Sequence, residues 1–457
     1  MNKKNQEASL ELFATAPVPK AVLANGVPAM ISMLMVLIYN IADTFFVGQT
    51  HNALMVASVS QATPVFLSFM GFGNIFGIGG TSVISRALGQ GRQDYAKKVS
   101  AFCMWSCVVL GVLLSGLLLI FMKPILHLLG ASTDIWDYTK DYLTIVAFAG
   151  PFSLVSHAFC NIVRTEGRPS IAMTGQIVGN LLNVILDPIF ILWMDMGVAG
   201  AALATTISNA VSAVYYIVFL LGRKSILSIN PKDFSMSDGI FSGVMAIGIP
   251  ASLGNLLASA AQILAYSKLS SYHDDMALAG YGVSTKITMI TGMMCVGFGQ
   301  GVQPLLGYCI GAKNHKRFKA SLKMAVVFAV SVSVLLTAVC YLLVRQIASA
   351  FLTEPNALGY AMRFARILLS TSFLFGLFYV LTGTLQSMGE ARSALIINLS
   401  RQGFFYIPAL LILNAAMGIV GLVWAQPIAD VLSTALVIFL YLRTMRKFQW
   451  QQETEKL

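Results

Sequence analysis

The sequence predicts an all-α integral membrane protein of twelve transmembrane helices arranged as two pseudo-symmetric six-helix bundles. Three observations predict it: a composition that only a bilayer can solvate, twelve apolar runs of spanning length, and an internal repeat relating the two halves. The 457 residues are 57% hydrophobic and 11% charged, with a mean hydropathy of +0.75. A soluble domain carries about 25% charged residues. A water-soluble globule of this composition would have an apolar exterior, whereas hydrocarbon accepts it.

The apolar runs fall at about 21–47, 54–85, 100–122, 142–163, 171–194 and 199–221, then 243–270, 277–308, 321–344, 361–386, 394–414 and 419–442. Each is long enough to cross ~30 Å of hydrocarbon as a helix. Segments joined by such short connections can satisfy their backbone polar groups only as helices. The first run, beginning after Lys3, Lys4 and a polar stretch, is too long for a signal-peptide core and reads as a retained first span.

The formal charge of +11 would suggest a nucleic-acid partner in a soluble chain. Here no basic patch with interleaved aromatics stands outside the spans, so no nucleic-acid partner is expected. The basic residues instead collect in connections after even-numbered spans: Arg86, Arg92, Lys97 and Lys98; Arg164 and Arg168; Arg223, Lys224 and Lys232; Lys313, Lys316, Arg317 and Lys319; and the tail with Arg443, Arg446 and Lys447. The connections Gly48–Asn52 and Asp195–Val198 contain no Lys or Arg. The positive-inside rule therefore predicts both termini in the cytoplasm, as an even number of spans requires. The six cysteines and five histidines are scattered without metal-ligand spacing. They read as packing residues, and no metal centre or cofactor is expected.

A shift of 222 positions aligns the halves. Gly26, Pro28 and Ala29 fall on Gly248, Pro250 and Ala251; Gly77, Gly79 and Gly89 fall on Gly299, Gly301 and Gly311; Gly167 falls on Gly389. Later the shift slips by one, so that Gly197 and Gly200 meet Gly418 and Gly421. The domains are accordingly an N-lobe of spans 1–6 over residues 1–222 and a C-lobe of spans 7–12 over 223–457, with a linker at about 223–242. Six spans per half give the halves the same orientation, a parallel repeat whose lobes can rock about a central site. Such a duplication fits a transporter better than a channel or an enzyme.

Ionisable groups inside spans are costly and point to function. Asp43 in span 1, Asp187 in span 5 and Thr205 in span 6 all lie ~8–10 Å below the outer face, from the 1.5 Å helical rise. Asn183 and Asn180 continue the Asp187 face one and two turns deeper. Two carboxylates in a poorly hydrated site can share a proton. With the oxygens of Asn183 and Thr205, Asp43 and Asp187 could instead coordinate a desolvated Na⁺. Pro28 and Pro188 lie on the same helices as the carboxylates and would permit bending there. In the C-lobe, Lys286, Arg401 and Asp430 lie near one level, and Asp430 is expected to pair with Lys286 or Arg401 because a lone charge would be costlier. Gln262 and Asn255, on one face of span 7, are expected to line the same cavity, as a charge cluster or substrate site.

Pro28 with Ile41–Gln49 (IADTFFVGQ), Ser85–Arg92 (SRALGQGR) and Asn183–Phe190 (NVILDPIF) together resemble the MATE family, the multidrug and toxic compound extrusion transporters. The resemblance runs over nearly the whole chain and is closest to the prokaryotic DinF-like branch that includes the MepA-like pumps. It implies a MATE-like fold and a secondary active multidrug efflux antiporter that exports amphipathic, often cationic organic compounds in exchange for H⁺ or Na⁺. It further implies a monomer in the cytoplasmic (inner) membrane of a prokaryote, with the lipid bilayer and small organic substrates as its partners. The branch's Asp on the first helix and Asn and Asp on the fifth match Asp43, Asn183 and Asp187; Thr205 matches a polar position on the sixth, and Pro28 the proline at which bending is proposed. The NorM-like branch carries acidic residues in helices 7 and 10, but spans 7 and 10 here have no Asp or Glu, which favours proton coupling in the N-lobe. A lipid-linked or polysaccharide flippase of the wider superfamily is the alternative, although flippases often carry fourteen spans and a strongly cationic cavity. A membrane-embedded enzyme would need a nucleophile–base or metal constellation, and none is legible.

Overall fold

The computed structural model describes residues 10–50, 52–129, 133–222 and 224–454; Lys3, Lys4 and Arg223 lie outside the described residues. The first bundle consists of α1 (Val18–Gly48), α2 (Ala53–Gly89), α3 (Gln93–Ile120), α4 (Trp136–Ile162), α5 (Pro169–Asp187) and α6 (Gly197–Leu221). The second consists of α7 (Ile240–Ser270), α8 (Asp275–Gly311), α9 (His315–Leu342), α10 (Pro355–Ser387) and the pair α11 (391–417) and α12 (419–454). Gly418, at φ 62° and ψ −142°, breaks the run from Ile407 to Thr454 and separates the last two. Ten described helices are long and apolar enough to cross a membrane. That count joins α11 to α12 and omits α8, whose 37 residues nevertheless pack among the spans against α1, α2, α9 and α10.

Several helices outrun the apolar segments that predict them. α3 starts at Gln93, so Asp94, Lys97 and Lys98 occupy its first turns. A helix continues past the hydrocarbon boundary wherever its backbone bonds are locally satisfied, and the polar turns carry no apolar signal. Three spans are internally irregular. α5 passes at Pro188 into the π-helical turn Pro188–Trp193, because proline lacks the N–H for the α-helical bond and its ring crowds the preceding turn. α10 is interrupted by the 3₁₀ turn Ser372–Leu374, and α11 contains the π-helical segment Ser400–Tyr406.

The lobes meet along α1–α8, α2–α7 and α2–α8, and the repeated glycines Gly26, Gly79, Gly89, Gly248, Gly301 and Gly311 lie on this seam. A Cβ at Gly89 would stand 2.2 Å from the Tyr308 carbonyl oxygen, and one at Gly311 would stand 2.1 Å from that of Arg86. The 222-residue shift carries Gly89 to Gly311 and Arg86 to Tyr308, so the two contacts are one contact made twice. Backbones this close leave no room for a side chain, which is how helices associate in a solvent as apolar as themselves. Cross-lobe hydrogen bonds add to the seam: Ser82 Oγ donates to the Gln386 carbonyl at 2.5 Å and Ser252 Oγ to that of Gly71 at 2.8 Å.

Segments that read as polar connections are docked at the same end. Arg317 at the start of α9 donates from Nε to the Phe13 carbonyl at 2.6 Å and from Nη2 to that of Ala16 at 2.7 Å, and Phe13 is fully buried. Buried Glu166 accepts through Oε1 from Ser225 Oγ (2.5 Å), Ile226 N (3.0 Å) and Leu227 N (2.9 Å), pinning the interlobe linker to the end of α4. At the opposite end, the Asp274 carboxylate caps α8 by accepting from Ala277 N at 3.0 Å and from the Tyr360 hydroxyl at 2.9 Å. The backbone bond at the helix start holds its pKa below the usual carboxylate value.

Replacing Gly311 by Leu is expected to destabilise this seam by about 1–3 kcal/mol, the usual cost of overpacking. The melting midpoint of the purified protein should fall, whereas Gly116→Leu, at a position with open space around it, should leave it in place.

Candidate cation site and the cavities beside it

α5 carries one polar stripe, Gln176, Asn180, Asn183 and Asp187, at spacings of four, three and four residues. These spacings put all four on one face. α6 answers with Thr205, Ser208, Asn209 and Ser212. The small residues Gly175 and Gly179 bring the helices together: a Cβ at Gly179 would lie 1.9 Å from Ser212 Oγ. Across the seam Asn183 Nδ2 donates to Thr205 Oγ1 at 3.3 Å, and Ser212 Oγ donates to the Gly175 carbonyl at 3.0 Å. Tyr39 and Val36 of α1 and Ser156 and His157 of α4 close a small pocket over this seam.

Asp187 is fully buried, and neither of its carboxylate oxygens receives a hydrogen bond from a described residue. The same holds for Asn183 Oδ1 and for Asp43 Oδ1. Asp43, Asp187, Tyr39 and Tyr142 are within electrostatic range of one another. Four buried acceptor oxygens without donors form an arrangement that ordinarily costs stability. Their chemistry fits a proton or a hard, desolvated monovalent cation, for which oxygen acceptors are the natural ligands. The helices bearing them contain the two prolines singled out in the sequence. α1 runs unbroken through Pro28, with Ser32 Oγ donating to the Pro28 carbonyl at 2.9 Å and buried Asn25 to that of Ala21 at 2.7 Å. Pro188 marks the change from α- to π-helix directly after Asp187.

The structure thus brings Asn180, Asn183 and Thr205 into one pocket, with Asp187 and Asp43 in electrostatic contact with Tyr39 of its wall. Sequence reasoning missed Tyr39, Tyr142, His157, Gln176, Ser208, Asn209 and Ser212. Some carried a legible signal: Tyr39 is one turn before Asp43, and Gln176 and Ser212 extend stripes already begun. His157 and Tyr142, on α4, are joined to the site only by the fold.

In the C-lobe the expected pairing of Asp430 is found, while the places of Lys286 and of Asn255 are corrected. Asp430 pairs with Arg401 and not with Lys286: Arg401 Nε and Nη2 reach Asp430 Oδ1 at 3.0 and 2.9 Å. Lys286 is exposed with its Nζ 5.7 Å from the Phe351 ring, because its place on α8 turns it out of the bundle. Gln262 and Asn255 do not share a cavity. Gln262 lines a C-lobe cavity of about 230 Å³ with Arg401, and Asn255 lines a central cavity of about 290 Å³ between the lobes. Their separation of seven residues keeps one face but spans two helical turns, roughly 10 Å of rise, enough to pass from one chamber to the next. The central cavity is walled by Met33, Met70, Asn74, His157, Gln176 and Met293, among others. His157 and Gln176 also line the small N-lobe pocket, so the two spaces share a polar wall.

This is the anatomy of a membrane transporter: two repeated helical bundles, a chamber between them, and buried carboxylate oxygens beside a polar pocket that shares a wall with that chamber. The chain belongs to the MatE family, whose model matches twice, over residues 28–189 and 250–412, the second match beginning 222 residues after the first. It is 33% identical over 442 residues to the multidrug export protein MepA of Staphylococcus haemolyticus, covering 95% of this chain and 96% of that protein. It is 31% identical over 438 residues to MepA of Staphylococcus aureus, covering 96% of each, which places it in the MepA-like branch. Among solved structures, a MATE protein crystallised in complex with MaL6 superposes with a TM-score of 0.92 at 23% identity, over 98% of this chain and 100% of that one. A multidrug resistance MATE family transporter in an outward-facing conformation superposes with a TM-score of 0.89 at 22% identity, over 96% and 98%.

An Asp187→Asn substitution is expected to raise thermal stability by about 1 kcal/mol, since an amide can donate to neighbouring acceptors where the carboxylate cannot. A melting curve at neutral pH checks this; a lowered midpoint would mean that the carboxylate is a structural element.

Proposed function

We propose that the protein is a secondary active exporter that exchanges amphipathic, often cationic organic compounds for H⁺ at the N-lobe carboxylates. The observation that carries the reading is the set of donor-free oxygens on Asp43, Asn183 and Asp187. A proton or cation arriving there removes an electrostatic cost that the protein otherwise bears. Asp43 lies on α1, which also contributes Met33 and Val36 to the central cavity. Neutralising its carboxylate therefore acts on the helix that a substrate touches. Export of drugs by MepA relatives supports the substrate class, and the methionine-bearing wall suits varied apolar shapes.

In this reading residues 1–222 and 223–457 are the two lobes, and they alternate about the central cavity. Both termini face the cytoplasm of a prokaryote, the protein works as a monomer in the inner membrane, and the only ancillary species is the coupling ion. Na⁺ at Asp43, Asn183, Asp187 and Thr205 is the competing choice of ion. A flippase is not favoured, because the described lining of the central cavity contains no Lys or Arg.

The test uses proteoliposomes loaded with ethidium under an imposed pH gradient or an imposed Na⁺ gradient. The pH gradient alone is expected to drive flux, and Asp43→Asn and Asp187→Asn are each expected to reduce it at least tenfold. Flux driven by Na⁺ alone would replace the ion in this reading. Normal transport by both variants would refute the site.

A further inference from the structure

The small N-lobe pocket has a counterpart in the C-lobe with different chemistry. A shift of 222 carries Val36, His157, Gly179 and Asn180 of the N-lobe pocket onto Ala258, Tyr379, Arg401 and Gln402. The 221-residue shift that follows the slip carries Thr205 onto Gln426, and these five counterparts all line the C-lobe cavity. It also carries Asn209 onto Asp430, which stands behind Arg401 rather than in the cavity wall. The duplication has therefore kept a polar pocket in each lobe. In the first a glycine brings α5 against α6. In the second the same position bears a guanidinium, on a π-helical segment, Ser400–Tyr406, that also presents Gln402 and Tyr406 to the cavity. Such π-bulges recur at functional sites.

The guanidinium is held in a fixed pose. Asp430 Oδ1 accepts from Arg401 Nε at 3.0 Å and from Gln426 Nε2 at 2.9 Å, with Arg401 Nη2 also 2.9 Å away. Arg401 Nη1 donates to the Tyr379 hydroxyl at 2.6 Å. The rings of Phe375, Phe378 and Tyr379 surround the guanidinium carbon at 5.1, 5.0 and 5.4 Å. An arginine has five N–H donors, and these contacts engage three. The pair is neutral overall and nearly buried, the side chains being 15% and 2% exposed. What the cavity meets is the edge of a clamped, planar donor among aromatic faces and neutral polar groups from Gln262, Thr285 and Gln402.

We propose that this C-lobe cavity is a second ligand site, selective for planar aromatic compounds that bear a carboxylate. The carboxylate would accept from the remaining guanidinium donors, as charge-assisted bonds favour, and the ring would lie against Tyr281, Phe375 and Tyr406. The two lobes then divide the work: the first holds the cation or proton, and the second recognises the acidic end of a ligand that enters from the central cavity. The inference concerns binding without any gradient, so it stands or falls separately from the choice of coupling ion.

The experiment measures equilibrium binding of radiolabelled 2-naphthoate and, separately, of ethidium to the full chain in lipid nanodiscs. Wild type is expected to bind both. Arg401→Gln with Asp430→Asn, which removes both charges together and leaves no orphan, should weaken naphthoate binding at least tenfold while ethidium stays within threefold. Gly292→Leu fills the cavity without touching the pair, since a Cβ there meets only the Phe375 ring at 3.8 Å, and should have the same effect. If the double variant fails to assemble, Gly292→Leu decides alone. Absence of naphthoate binding to wild type, a loss smaller than tenfold, or an equal loss of both probes would overturn the proposal.

Discussion

Two backbone approaches, Gly89 against Tyr308 and Gly311 against Arg86, set the frame in which everything else is placed. In hydrocarbon no hydrophobic force draws helices together. Close packing of main chain on main chain does so, and it needs residues without side chains at the contact. The seam lies toward one end of α1, α2, α7 and α8, and along each of these helices the residues of the central cavity lie mostly toward the other end. On α2 the cavity residues run from Leu67 to Asn74 and the seam from Gly71 to Gly89; on α8 they run from Met293 to Gln300 and the seam from Gly297 to Gly311. Where the glycines stop, the lobes part and a chamber opens.

Within that frame the lobes handle charge differently. The first buries carboxylate oxygens with no donors, so it is electrostatically unsatisfied by itself. The second buries a carboxylate saturated on one oxygen by a guanidinium and an amide. A buried charge whose partner sits beside it is a scaffold, whereas one without a partner responds to whatever arrives. The repeat supplies the same pocket twice, and divergence at a few positions, Gly179 against Arg401 foremost, gives each copy its own electrostatics.

Much of this was legible in the chain. The span order, the repeat and the acidic stripe follow from residue periodicity and spacing, which report local geometry. The pairing choice of Asp430 was not legible, because Lys286 and Arg401 lie at similar depth and only helix rotation distinguishes them. Asn255 and Gln262 misled for the related reason that one face of a long helix can serve two chambers. The break at Ser372–Leu374 was also hidden, since hydropathy does not register a change of helical form, whereas the break at Gly418 falls in the gap between the last two apolar runs. The docking of residues 10–16 under Arg317 depends on a partner some 300 residues away.

The buried anchorage of the linker decides which lobe the connecting segment belongs to. Ser225, Ile226 and Leu227 are tied to Glu166; the Trp105 indole N–H donates to the Ile229 carbonyl at 3.1 Å, and the Tyr95 hydroxyl to that of Asp238 at 3.1 Å. Every one of these anchors belongs to α3 or the end of α4. The segment between the lobes is therefore a strut fixed to the first of them as far as Asp238, and Gly239, whose φ of 76° precedes α7, turns the chain into the second bundle. The second bundle therefore begins at the tip of a bracket built by the first.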